Sequence, residues 1–320
     1  MEGVASGTVS NGAVFMQSVG AWPAYTTVPG GYSTQFTTPV CDDVVASRLV
    51  LALYGGSASN TATVTVTVNG VATNLTIGGG TGSPDSNPEF TTGQTNVYGS
   101  TSSGAWVVSV PVAADLNTNG TANTVNVTVN DPSYNFDGRL VYASIWDVHQ
   151  KASLNNKFQY AVAEGSGDIY STTPGTAQSA TVASRWVDMG AFGVKNLQSA
   201  HLDVLDTYVH SGQDNHLYIN SNNLSNGTLL GGDPAVSSSS TYAPVQASFN
   251  VTSDLSSSDN WIKVSVDPAD GVTSSGTSVF RPQVAVLEAT SAVPEPSTLC
   301  LLATSLTILG ARFLVRRKLS

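Results

Sequence analysis

Cysteine, basic charge and helical periodicity are all scarce in this chain, and each scarcity excludes something. Two cysteines, Cys41 and Cys300, stand far apart among 320 residues, so there is neither a disulfide framework nor a cysteine-based metal site. Only 11% of the residues are charged, and 21 acidic side chains face eight basic ones before Val293. A body that acidic is a poor partner for nucleic acid or anionic lipid. No stretch of ten or more residues before the C-terminal tail repeats apolar side chains with a helical period. Catalytic signatures are missing as well: neither a Gly-x-Ser-x-Gly elbow nor a His-Glu-x-x-His pair occurs. The chain is nonetheless 41% hydrophobic, which together with low charge argues for folded β-structure rather than disorder.

The strands announce themselves by their patterns. Arg48 to Tyr54 is an unbroken β-forming run, suited to a strand buried on both faces. Thr63 to Val68 alternates strictly, valines on one face and threonines on the other. Asn69-Gly70 follows and Val71 to Ile77 returns, a strong hairpin signal. Further strands are expected at Trp106–Val112, Thr124–Val129, Leu140–Val148 and Val182–Met189. Trp22-Pro23 and Pro29-Gly30-Gly31 read as turns.

The same order of patterns recurs further along. His216–Asn220 resembles Thr65–Asn69 at a step of 151, and Asp254-Leu255 resembles Asp115-Leu116 at 139. Val264–Val266 resembles Val127–Val129 at 137, and Val284–Glu288 resembles Ala143–Asp147 at 141. A step that drifts only as loops shorten is what tandem duplication of a β-domain leaves. The expected fold is therefore all-β: two tandem jelly-roll-like antiparallel β-sandwich domains, residues 8–150 and 175–290, joined by a connecting segment at 151–174.

The tail supplies an address. Residues 291–298 hold Pro294-Glu295-Pro296, a linker whose prolines prevent a helix from starting earlier. An apolar stretch over 299–315 reads as a short hydrophobic helix. Its first 13 residues span roughly 20 Å, and the whole spans roughly 25 Å if the stem of Arg312 lies along lipid. Arg316, Arg317 and Lys318 make residues 316–320 a basic tail that stays on the cytoplasmic side. Pro-Glu-Pro, short apolar helix and basic end, in that order, resemble the PEP-CTERM sorting signal. The resemblance implies export, recognition by an integral-membrane exosortase, transient anchoring by the C-terminus, and delivery to the cell surface or beyond. Export calls for a signal peptide, and Met1–Ser6 has neither a basic nor an apolar region, so that signal is expected upstream of this start.

The body resembles a second family. Asn119–Val129, then Phe136-Asp-Gly-Arg139 leading into Leu140–Val148, then Tyr160 with Ala161–Gly165, are similar to the motif core of an uncharacterised extracellular β-sandwich domain of methanogen surface proteins. What this implies is an extracellular double sandwich with no known activity.

Candidate sites are few. Asp131 and Asp137 precede Gly138 in one loop, and Asp267 and Asp270 precede Gly271 in the matching loop, an oxygen-rich setting that suits calcium; Asx turns need the same residues without any ion. His210, Asp214 and His216 are read as a polar loop. Cys41 sits beside Asp42 and Asp43, which should raise its pKa rather than activate it. Of five tryptophans, Trp106, Trp146, Trp186 and Trp261 lie in expected strands, where filling the core is the commoner role. Trp22, beside a proline in a turn, is the candidate for stacking on sugar. Glu164, Asp203 and Asp206 would support a hydrolase only if the fold gathers them. The expected function is that of a non-enzymatic, exported cell-surface or extracellular-matrix protein with a structural or adhesive role. No cofactor is expected, calcium being the candidate ion, and its partners are exosortase and the export machinery. It binds no nucleic acid and meets the membrane only through its C-terminal segment. The alternative is a carbohydrate-binding module acting on exopolysaccharide, and a hydrolase comes third.

Overall fold

A computed structural model describes residues 2–25, 31–55, 57, 59–78, 96–99, 105–131, 137–165, 169–171, 184–191, 197–207, 215–220, 222–224, 245–266 and 278–292. The described chain is all-β. Its strands in order are β1 (Glu2–Ser10), β2 (Gly12–Tyr25), β3 (Tyr32–Phe36), β4 (Asp43–Tyr54), β5 (Ala62–Val68), β6 (Val71–Ile77), β7 (Asn96–Gly99), β8 (Ala105–Pro111), β9 (Asn123–Asn130) and β10 (Arg139–Gln150). There follow β11 (Asn156–Glu164), β12 (Ile169–Ser171), β13 (Ser184–Ala191), β14 (Leu197–Thr207), β15 (Asn215–Ile219), β16 (Asn222–Asn223), β17 (Val245–Asn250), β18 (Asp259–Val266) and β19 (Ser278–Ala292). All the pairings are antiparallel.

These strands make four sheets, two for each half of the chain. The order β3-β9-β5-β6 forms the outer sheet of the first half and β2-β10-β4-β8-β7 its inner sheet. In the second half, β13-β18-β15-β16 is outer and β1-β11-β19-β14-β17 inner, with β12 also on β19. Position for position, β2-β10-β4-β8 corresponds to β11-β19-β14-β17, and β3-β9-β5-β6 to β13-β18-β15-β16. The strand β1 departs from this scheme, because the chain begins in the sheet of its second half, with Thr8 opposite Gln159. Residues 151–174, read from the sequence as a connection, hold β11 and β12.

Three apolar layers separate the four sheets. Leu49, Leu51 and Leu53 of β4 meet Val64 and Val66 of β5 and Val125 and Val127 of β9 in the first. Leu202, Val204 and Leu287 meet Leu217, Ile219 and Ile262 in the second. Between the two inner sheets lies a third, where Val50, Ala52, Tyr142 and Trp146 pack on Phe158, Val162, Leu205, Val284 and Val286. This third layer is why β4 and β10 read as continuous runs: odd residues of β4 fill one core and even residues the other. β5, in an outer sheet, keeps strict alternation of buried and more open positions.

Turn chemistry follows the sequence. Asn69 and Gly70 take φ 49 and 92, the left-handed pair that a two-residue hairpin between β5 and β6 requires. Trp22-Pro23, expected as a turn, instead lies within β2. That strand is at the edge of its sheet, and its pairing with β10 is irregular between Leu140 and Tyr142, so the missing proline N–H interrupts no regular ladder.

One polar device occurs in both halves. Asn69 Nδ2 donates to Asp115 O at 2.7 Å and to Asn123 Oδ1 at 2.8 Å, while its Oδ1 accepts from Thr124 N at 2.9 Å. Asn220, with φ 54, donates to Asp254 O at 2.8 Å and to Asn260 Oδ1 at 2.9 Å, and accepts from Trp261 N at 2.9 Å. Asn123 Oδ1 also accepts from Asn117 N, and Asn260 Oδ1 from Ser256 N, each at 2.7 Å. Asn123 and Asn260 are fully buried, and these bonds are what permits it.

Candidate functional site

The interface between the two inner sheets gathers the polar chemistry. Arg48, at 5% exposure, enters from β4. Its Nε donates to Ser109 Oγ at 2.7 Å and its Nη2 to Ser109 O at 2.9 Å. Across the interface, Glu164 ends β11 with no exposed surface. Its Oε1 accepts from Trp146 Nε1 at 2.7 Å, and its Oε2 lies 3.5 Å from Arg48 Nε. Burial pushes the Glu164 carboxyl up, against the opposing pull of Arg48, Ser109 and Trp146. The geometry is that of a clamp: one carboxylate of the second half is held by a cation and an indole of the first.

At the rim of the same interface a second group is partly open to water. Glu288 of β19 has His201 of β14 beside it, Nδ1 to Oε1 3.6 Å, and its side chain is 21% exposed. Burial first, and the nearby Asp203 second, push Glu288 up to about 7, although the Val14 backbone N–H donates to it. Asp203 is raised too, chiefly by burial, while Ser248 and His201 act against the shift. Gln246 of β17 completes the rim by donating to Met16 O at 3.2 Å and accepting from Ser18 Oγ at 3.3 Å. A carboxyl titrating near neutrality can exchange protons with solvent at ordinary pH.

The hydrolase trio is not assembled. Glu164 and Asp203 face the same layer, but the register sets them two strands and two residues apart, roughly 12 Å. Glu164 is sealed by Trp146 and Arg48, and the side chain of Asp206 lies outside the described residues. For calcium, Asp131 is buried, and Asp137 is gripped by Arg139 through both carboxylate oxygens, with the Arg139 guanidinium 4.8 Å from the Tyr54 ring centre. Asp267 and Asp270 lie outside the described residues, as do His210 and Asp214. Among the described residues no group of three or more His, Cys, Asp or Glu is placed to hold a metal ion.

Cys41 behaves as its neighbours dictate. Partial burial raises its pKa first, then Asp147, Asp42 and Asp43. The contribution of Asp147 was hidden in sequence, since it comes from β10, where its Oδ1 lies 2.6 Å from His149 Nδ1. Burial raises Asp147 itself, partly offset by His149.

The tryptophans divide differently from expectation. Trp106 and Trp146 are buried, at 2% and 1% exposure. Trp261, expected in a core, is 41% exposed on the outer face of β18. Alternation explains it: Asn260 and Ile262 are buried, so Trp261 and Lys263 must face water. The charged residue two positions on was the signal in the sequence. The side chains of Trp22 and Trp186 are not among those described.

The fold and these groups define a stacked, β-sandwich-like all-β protein. Residues 292–318 match the PEP-CTERM protein-sorting motif, the mark of an exported protein that exosortase recognises, and they include Pro294, Glu295, Pro296, Arg316, Arg317 and Lys318. Those residues beyond Ala292 lie outside the described ones, and among the described residues no helix is long and apolar enough to cross a membrane. No curated protein sequence matches the chain. Among solved structures, PNGase F, a glycosylasparaginase from Flavobacterium meningosepticum, is similar at 11% identity over 89% of this chain and 96% of its own, with a TM-score of 0.30. The major capsid protein P2 of bacteriophage PM2 is similar at 10% identity over 89% of this chain and 100% of its own, with a TM-score of 0.23. Likenesses at these scores transfer no activity.

Proposed function

We propose that this exported protein serves a structural or adhesive role at the cell surface or in the extracellular matrix, without enzymatic activity. Its body is two tandem jelly-roll-like sandwiches, and a short C-terminal hydrophobic helix at 299–315 anchors it transiently before exosortase processing. The observation that carries this reading is the joint between the halves: an apolar layer, the Arg48–Glu164–Trp146 clamp, and β1, which starts the chain in the sheet of its second half. Such a joint makes one stiff unit of two sandwiches, which suits a load-bearing part more than a hinged one. Tandem duplication is supported by the matched strand orders and by the two asparagine networks, whose members stand 151, 139 and 137 residues apart (Asn69 and Asn220, Asp115 and Asp254, Asn123 and Asn260). The likeness of Phe136–Val148 to methanogen surface domains supports the extracellular setting. The test is mechanical: stretching single molecules tethered at both ends should give one cooperative unfolding event for the described body. Two well-separated events at forces typical of independent domains would contradict the stiff unit.

Calcium bound by Asp131, Asp137, Asp267 and Asp270 belongs to the same reading as a stabilising ion; Asp137 would exchange Arg139 for it. Millimolar calcium should then raise Tm, and an unchanged Tm removes the ion from the account. The second reading, binding of exopolysaccharide, is favoured by the exposed Trp261. The sequence offers Trp22 as the stacking residue of this reading, and its replacement by alanine should then abolish glycan binding.

A further inference from the structure

The outer faces of the two halves share one backbone plan and differ in what they display. In the first outer sheet, Ser33, Asn126 and Thr67 stand in one row across β3, β9 and β5, with Thr124 two residues along β9. In the second, the same register positions carry Trp186, Lys263 and Tyr218 across β13, β18 and β15, with Trp261 two residues along β18. Small polar residues on one face thus correspond to Tyr218, Trp261 and a cation on the other.

The scaffold beneath the aromatics is rigid. Trp261 N donates to Asn220 Oδ1, and Asn220 N donates to Trp261 O at 2.8 Å, so the backbone of the exposed indole is fixed from both sides. Tyr218 lies one strand over and two residues along, roughly 8 Å away by strand spacing and rise. Lys263, the register partner of Tyr218, places its Nζ 5.2 Å from the Tyr218 ring centre. Asp259, exposed at the start of β18, offers an acceptor beyond Trp261.

We infer that this face binds an acidic polysaccharide, a chain of pyranose rings carrying carboxylates. A pyranose has an apolar C–H face that stacks on an indole or phenol and a polar edge of hydroxyls. Aromatics set beside charged side chains match that amphipathic surface, whereas a protein partner would want a continuous apolar centre. Charge selects among sugars: in a chain of net charge −10, a cation set amid the aromatics gives a sugar carboxylate its local counter-ion. Export brings the face to where such polymers occur. The inference deepens the carbohydrate-binding reading and moves its site from Trp22 to β18.

The probes are hexamers of galacturonic acid and of glucose, titrated calorimetrically into the full chain in mild detergent. The acidic hexamer should bind saturably and more tightly than the glucose hexamer, with affinity falling as salt rises. Trp261→Ala and Lys263→Met should each weaken it by roughly tenfold, with circular dichroism unchanged because both side chains stand on the outer face. Thr124→Ala, at the position equivalent to Trp261, should have no effect. Undiminished binding in Trp261→Ala overturns this site while leaving a carbohydrate function elsewhere. Equal binding of both hexamers with Lys263→Met silent overturns the acidic-sugar assignment, and no saturable binding of either hexamer overturns the site and the carbohydrate reading together.

Discussion

Replacing Arg48 by methionine tests the clamp between the sandwiches. The substitution keeps an aliphatic stem in place but removes the two bonds to Ser109 and the cation 3.5 Å from Glu164. Glu164 then sits with no exposed surface and without the Arg48 cation, left to Trp146 Nε1 and the neighbouring Ser109 hydroxyl. Stripping one partner from a buried pair costs about 3–5 kcal/mol. For a body of this size that lowers Tm by on the order of 10 °C. The loss should grow with rising pH, because an unpaired buried carboxyl binds its proton more tightly in the folded state than in the unfolded one. Adding Glu164→Gln should return most of the stability, since the amide is neutral and its carbonyl still accepts from Trp146. The assay is equilibrium urea unfolding of wild type, both single variants and the double variant at several pH values. A loss under about 1 kcal/mol in Arg48→Met, or a double variant no better than that single one, would refute the reasoning.

Glu288→Gln should flatten the pH dependence of stability. A carboxyl ordinarily near 4.5 and held here at about 7 contributes stability that is full below 4.5 and lost as pH rises through 7, up to roughly 3 kcal/mol; urea midpoints between pH 4.5 and 8 read it, and an unchanged slope in the variant contradicts it. Asn220→Ala should cost about 2–4 kcal/mol, because it removes three hydrogen bonds and forces alanine to φ 54; Asn220→Gly should recover only the backbone part, and Asn69→Ala should behave alike. Cys41 should react slowly with iodoacetamide at pH 8, since burial and three acids raise its pKa; a rate equal to that of free cysteine contradicts this.

Much of the fold was legible because the outer and inner strands carry different periods. β5 alternates and β4 does not, and the structure supplies the reason: β4 is covered on both faces. The hairpin at Asn69-Gly70 was legible for the local reason that both residues tolerate positive φ. What stayed hidden depends on register between distant strands. Glu288 follows Val284 and Val286 at period two, so its burial could be read, but Asp203 and His201 reach it only through the pairing of β14 with β19. Arg48 and Glu164 meet only because two sheets stack. Trp261 was misassigned although Lys263, two positions on, marked its face as the one turned to water. There the buried Asn260 took the place a hydrophobic residue would normally mark.

The central claim is that residues 292–318 mark this β-body as an exported protein that exosortase recognises. Fractionation in the native host, comparing the intact chain with one truncated after Ser291, tests it most directly. The account predicts that the intact protein appears at the cell surface or in the medium, shortened at its C-terminus, and that the truncated one fails to be retained and processed in that way. An intact protein found full-length in the cytoplasm, in the same amount as the truncated form, would contradict it.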